Sequence, residues 1–148
     1  MEMINTIGRH YVVEASGCNP DVINDMKKVE NILVQAAKQA RASVVTTAFH
    51  RFYPQGVSGV VVVSESHIAV HTWPEKGYAA LDIYTCGEHT MPDEAVKYVL
   101  KEFGATSAHI TYIVRGLESE EKKDLYLHEL ETKEERLDNV KEKLDMVL

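Results

Sequence analysis

The sequence predicts an α+β domain: a two-layer α/β sandwich with a largely antiparallel sheet covered by helices on one face. Three observations carry that prediction. Apolar residues recur at helical spacing in two stretches of the body, β-branched and aromatic runs fill most of the rest, and the elements follow in the order β-α-β-β-β-β-α-β.

The first strand is G-R-H-Y-V-V-E-A, closed by the turn-like S-G-C-N-P. From Asp21 to Arg41, the residues Val22, Ile23, Met26, Val29, Ile32, Leu33 and Ala36 recur every three or four positions, which predicts one helix with Asn19 or Asp21 as its N-cap. S-V-V-T-T-A-F-H-R-F is a strand, ended by P-Q-G before a second apolar run, V-S-G-V-V-V-V-S. H-I-A-V-H-T-W and Y-A-A-L-D-I-Y-T-C are two more strands around a P-E-K-G turn. M-P-D-E-A-V-K-Y-V-L-K-E-F-G reads as the second helix: Pro92 stands early, Asp93 and Glu94 lie in the first turn, and Gly104 comes just past the end. S-A-H-I-T-Y-I-V is the last strand.

A chain of 148 residues, 45% of them hydrophobic, fits one folded domain, expected over residues 1–116. Residues 117–148 differ in composition. Tyr126, Leu130, Leu137, Val140, Leu144 and Val147 form a heptad-like stripe among dense charges, which predicts an amphipathic C-terminal helical tail. The tail holds eleven acidic and six basic residues, so it carries −5 of the net −7 and leaves the body at −2. A nearly neutral body lacks the clustered Lys and Arg of a nucleic-acid surface. No apolar stretch approaches the roughly 20 residues that span a bilayer and no signal segment opens the chain, so neither a membrane nor a nucleic-acid partner is expected. The two cysteines, Cys18 and Cys86, lie far apart and fit free thiols in a reducing, cytoplasmic setting.

The stretch V-S-E-S-H-I-A-V-H-T-W, Val63 to Trp73, carries polar and aromatic residues where a plain core strand would carry aliphatic ones. Side chains alternate across a strand, so Ile68 and Val70 take one face while His67, His71 and Trp73 take the other. By the same rule Ala79, Leu81 and Ile83 oppose Asp82, Tyr84 and Cys86. With the apolar sets under the helices, His71, Trp73 and Cys86 are expected together on the uncovered face, where a ligand cleft or a dimer would cover them. His67 and His71 stand roughly 13 Å apart along the strand, too far to share one ion, and no metal is expected. Taken singly, Cys86, Trp73 and His71 also fit ordinary packing.

The run F-H-R-F-Y-P-Q-G-V-S-G-V-V-V-V-S-E-S-H-I-A-V-H-T-W-P-E-K-G-Y-A-A-L-D-I-Y-T-C-G, Phe49 to Gly87, closely resembles the small prokaryotic S-adenosylmethionine decarboxylase proenzymes, which are self-cleaving and pyruvoyl-dependent. The resemblance extends more loosely to the first strand and the second helix, and stops near Gly116. It implies scission between Glu65 and Ser66, giving a β chain of residues 1–65 and an α chain of residues 66–148. The Ser66 hydroxyl would attack the Glu65 carbonyl to form an ester. Loss of the Ser66 α-proton would then expel the Glu65 carboxylate, and loss of ammonia would leave the pyruvoyl group. His71 matches the processing histidine, a group suited to proton transfer near neutral pH. Cys86 matches the proton donor that returns a proton to the substrate.

In the mature enzyme, the resemblance implies a Schiff base between the pyruvoyl ketone and the substrate amine, so that no pyridoxal phosphate is needed. The product would be the aminopropyl donor for spermidine synthesis. Phe52 and Trp73 are implied contacts of the adenine or sulfonium, Glu75 of the ribose, Ser58 of the catalytic centre and Glu14 of the substrate's positive charge. A homodimer of processed protomers is the implied assembly. Two other functions stay open at this point: an arginine or ornithine decarboxylase on the same scaffold, and an uncleaved regulatory partner of an active paralogue.

Overall fold

A computed structural model describes residues 6–117 together with the backbone of residues 135–136. The elements are β1 (Gly8–Ser16), α1 (Pro20–Ile23), α2 (Met26–Gln39), β2 (Val44–Arg51), β3 (Val57–Val63), β4 (Ser66–Trp73), β5 (Tyr78–Cys86), α3 (Pro92–Glu102), β6 (Ser107–Arg115) and a two-residue β7 (Glu135–Arg136). They form one sheet in the order β2-β3-β4-β5-β1-β6-β7, and every described pair is antiparallel. The first strand therefore lies inside the sheet, between β5 and β6.

The period-two pattern sorts the faces as expected. On β4 and β5 the residues Ile68, Val70, Leu81 and Ile83 are buried, as are Tyr11 and Val13 on β1. Val29, Leu33, Ala36 and Ala37 of α2 and Val96, Val99 and Leu100 of α3 close over them in a single core. Each of these large aliphatic side chains contributes about 1.5–3 kcal/mol by leaving water. The other face of the sheet carries no helix among the described residues.

The predicted helix from Asp21 to Arg41 is two helices. Asn19 caps α1 by accepting from the Asp21 amide at 2.9 Å, and Asp25 caps α2 by accepting from the Lys28 amide at 3.1 Å. The apolar period runs through the break because both pieces lie on the same core, with Ile23 fully buried. Asn and Asp compete for backbone hydrogen bonds, and here they restart the helix. Asn24 also accepts from the Gly56 amide at 3.0 Å, which ties the break to the loop before β3.

The second predicted helix stands as read, with Pro92 in its first turn and Gly104 in left-handed conformation (φ +67°) after Phe103. In the tail, Glu135 pairs with Ala108 and Arg136 with Ser107 as β7, so at these two positions the backbone is extended where a helix was expected. The stripe residues Tyr126, Leu130, Leu137, Val140, Leu144 and Val147 lie outside the described residues.

Replacing Asp25 by Ala removes the α2 cap and is expected to lower stability by about 1 kcal/mol. Urea unfolding at fixed protein concentration checks this, and an unchanged midpoint would mean that α2 does not depend on its cap.

Candidate active site

Strands β3 and β4 are joined by a turn of only two residues, Ser64 and Glu65, with Val63 paired to Ser66. Hairpin turns this short favour positive φ at their central residues, which suits glycine or asparagine. Neither Ser64 nor Glu65 takes one. Positive φ falls instead on Ser66, at +151°, a region that costs a side-chain-bearing residue about 1–3 kcal/mol. By alternation Ser66 would belong to the face of Ile68 and Val70. Its hydroxyl nevertheless lies 3.6 Å from the sulfur of Cys86, an open-face residue. The Cys86 amide donates to the Glu65 carbonyl oxygen at 2.8 Å, so the residue before Ser66 has its carbonyl polarised and fixed.

The Glu65 side chain is held as well. One carboxylate oxygen accepts from the Ser43 amide at 2.9 Å and the other lies 2.8 Å from His89 Nε2. Burial alone would raise the Glu65 carboxyl, but these two partners outweigh it and hold it below its ordinary range.

At the other end of β4 stands a second group. Ser58 Oγ lies 2.7 Å from His71 Nδ1. Both line a pocket of about 330 Å³ together with Phe52, Gln55, Trp73 and Glu75. Trp73 stacks on Tyr78 with centroids 5.1 Å apart, and the Tyr78 hydroxyl donates to Glu14. Burial and the nearby Asp82 push the Glu14 carboxyl up from its ordinary value. Phe52 and Trp73 remain well exposed, at 46% and 38%. Phe52, Ser58, His71, Trp73 and Glu75 thus line one aromatic hollow, and Glu14 is tied to its edge through Tyr78.

The two groups do not meet within one chain. His71 is opposite Ala80, whereas Ser66 is opposite Thr85 and Cys86 is opposite Gly8. Five residues of β4 put His71 roughly 17 Å from Ser66. The expectation that His71, Trp73 and Cys86 lie together is therefore corrected. They share a face, as alternation requires, but occupy its opposite ends.

The family model for S-adenosylmethionine decarboxylase matches residues 9–116, which takes in both groups and, but for Gly8, all six main strands. The chain belongs to that family. An S-adenosylmethionine decarboxylase proenzyme of Pyrococcus horikoshii is 54% identical over 91% of this chain and 96% of its own length. One from Moorella thermoacetica is 52% identical over 77% of this chain and 91% of its own. Among solved structures, the adenosylmethionine decarboxylase of Aquifex aeolicus superposes with a TM-score of 0.71 at 31% identity, covering 77% of this chain and 94% of that one.

Within this decarboxylase domain, sequence reading missed several residues around Ser66. The Tyr84 hydroxyl is 3.5 Å from the Cys86 sulfur, and the Arg115 guanidinium carbon sits 4.5 Å from the centre of the Tyr84 ring. Burial, then the contact with Cys86, pushes the Tyr84 hydroxyl up, so it stays protonated at neutral pH. His67 packs against Tyr84 at 5.8 Å, and burial together with His10 lowers its pKa. Gly8 is the one neighbour with a signal in the sequence, because a glycine opening a strand marks close approach. A Cβ there would lie 2.4 Å from Tyr84 Cε1 and 2.9 Å from Cys86 Sγ.

Gly8→Ala is therefore expected to displace Cys86 and to cut turnover at least severalfold while the fold survives. Steady-state kinetics alongside circular dichroism checks it, and full turnover would show that the place of Cys86 is not critical.

Proposed function

We propose that the chain is a self-processing S-adenosylmethionine decarboxylase, cut between Glu65 and Ser66 and built to work as a dimer. The observation that carries the reading is the Glu65 carbonyl held by the Cys86 amide at 2.8 Å beside a strained Ser66, in a chain of this family.

Attack by Ser66 Oγ on the Glu65 carbonyl carbon places negative charge on the carbonyl oxygen. The Cys86 N–H already points at that atom and stabilises the charge without reorganising. The peptide C–N bond then breaks, an ester links Glu65 to Ser66 Oγ, and the Ser66 nitrogen becomes an amine. Removal of the Ser66 α-proton releases the Glu65 carboxylate, and water replaces the nitrogen as ammonia leaves. Relief of the positive φ favours leaving the precursor state.

The pyruvoyl group formed at position 66 supplies an electron sink for the pair left by departing CO₂. The residues around position 66 fit such a group: the Cys86 thiol is adjacent, and Tyr84 and the space left by Gly8 complete the wall. Cys86 Sγ is placed to return a proton to the substrate α-carbon. The aromatic hollow at the other end suits an adenine ring and a sulfonium, with Phe52 and Trp73 as flat faces and Glu75 in reach of ribose hydroxyls. Glu14, tied to that hollow through Tyr78, faces the substrate's positive charge.

Because these halves lie at opposite ends of one face, a two-fold axis through the middle of the sheet makes each whole. The hairpin end of one copy then meets the His71 and Trp73 end of a second. Val12, Val60, Val62, Ala69 and Ala80 give the middle of that face apolar character around Asp82, which His10 Nε2 meets at 2.9 Å. His71, paired with Ser58, is then the base that the processing step requires, supplied from the second copy. Cys18 and Cys86 as free thiols suit the cytoplasm, and no helix among the described residues is long and apolar enough to cross a membrane.

Ser66→Ala is expected to remain one chain and to release no CO₂ from carboxyl-labelled S-adenosylmethionine. Release from arginine or ornithine but not S-adenosylmethionine by the wild type would overturn the substrate assignment. Cys86→Ala is expected to lower turnover by about two to four orders of magnitude, as loss of a general acid does, and unimpaired turnover would remove its role. Coexpressing Ser66→Ala with His71→Ala chains tests the shared site. Mixed dimers carry one complete site, so roughly a quarter of wild-type activity is expected from random pairing. No recovery would mean that each site is built from one chain.

A further inference from the structure

We infer that His89 is a positioning residue for self-cleavage: it clamps the Glu65 side chain so that the Glu65 carbonyl stays presented to Ser66. This rests on the proposed scission at Glu65–Ser66 and adds a residue that neither the sequence motif nor the decarboxylation step calls for.

Glu65 is held at three points. Its carbonyl accepts from the Cys86 amide, and its carboxylate oxygens meet the Ser43 amide and His89 Nε2 separately. The carboxylate is largely buried, at 11% exposed, while the imidazole is 59% exposed. An imidazole that open is not there to fill the core, and its contact with Glu65 gives it a specific partner.

The loop that carries His89 is built to hold it there. Gly87 has φ +96°, and a Cβ at that position would sit 2.9 Å from His89 Cε1, so glycine leaves room for the ring. The next residue, Thr90, is 1% exposed; its hydroxyl meets Thr85 Oγ1 at 3.0 Å and donates to the Gly87 carbonyl at 2.9 Å. Arg9 donates to the Thr90 carbonyl, and the Met91 amide donates to the Ala40 carbonyl at 2.8 Å. The imidazole thus projects from a braced loop that begins one residue after Cys86.

A positive φ at a residue with a side chain persists only where the surroundings over-determine it. The turn of Ser64 and Glu65 has no glycine to absorb the strain, so releasing Glu65 would let Ser66 relax. The carbonyl would then rotate away from both its attacker and the Cys86 amide. Attack geometry of this kind is sensitive to displacements of an ångström.

The test is a pulse-chase of newly synthesised full-length chain, following precursor loss by intact mass for wild type, His89→Ala and His89→Gln. The expected result is cleavage slowed roughly threefold to tenfold in His89→Ala, since a partly exposed charged hydrogen bond is lost. His89→Gln, whose amide can still donate to Glu65, is expected to recover most of the rate. To separate positioning from loss of fold, His89→Ala is also made in the uncut Ser66→Ala chain, where an unchanged melting temperature is expected. Wild-type cleavage in His89→Ala, a His89→Gln chain as slow as His89→Ala, or a melting temperature that falls with the rate would overturn the inference. A wild-type chain that never cleaves would overturn the scission itself.

Discussion

The interaction on which the rest of the site depends is the hydrogen bond from the Cys86 amide to the Glu65 carbonyl, made beside a residue forced into positive φ. An ordinary two-residue hairpin would place glycine or asparagine in the turn and let the strain vanish. Here the turn is serine and glutamate, and the strain passes to Ser66. Antiparallel pairing of β3, β4 and β5 fixes all three participants, because β4 brings Ser66 opposite Thr85 and so beside Cys86. The proposed reactivity is therefore a property of the sheet register as much as of the serine.

The same register separates the Ser66 and Cys86 group from the aromatic hollow. The helices cover one face and, among the described residues, none lies on the other; β4 runs the length of that open face with Ser66 at one end and Trp73 at the other. A single sheet offers no wall opposite the reacting atoms. In the proposed dimer, a second copy applied face to face supplies both the wall and His71. On that proposal the assembly and the active site are parts of one design, with small side chains such as Ala69 and Ala80 in the middle, where two sheets can approach.

Much of the fold was legible because period-two and helical patterns report burial directly, and β4 and β5 bury the sets that alternation assigned. The break between α1 and α2 was not, because the apolar period continues through Asn24 and Asp25 while the backbone does not. For the site, alternation gave the face of His71, Trp73 and Cys86 but not their separation, since face depends on parity and position depends on register. Ser66 escaped the parity rule altogether, because its φ turns the hydroxyl to the opposite face. His89 carried no signal: its partner is 24 residues away in sequence, and only the folded loop brings them together. The motif from Phe49 to Gly87 supplied the chemistry, whereas the geometry came from the strands that frame it.

The most direct measurement is an intact mass spectrum of the purified protein under denaturing conditions. Two chains are expected, one matching residues 1–65 and one matching residues 66–148 with a blocked amino terminus whose mass fits a pyruvoyl group in place of serine. A single uncut chain that persists on incubation would contradict the account, because the strained hairpin at Glu65 and Ser66 would then be a structural feature without the chemistry assigned to it.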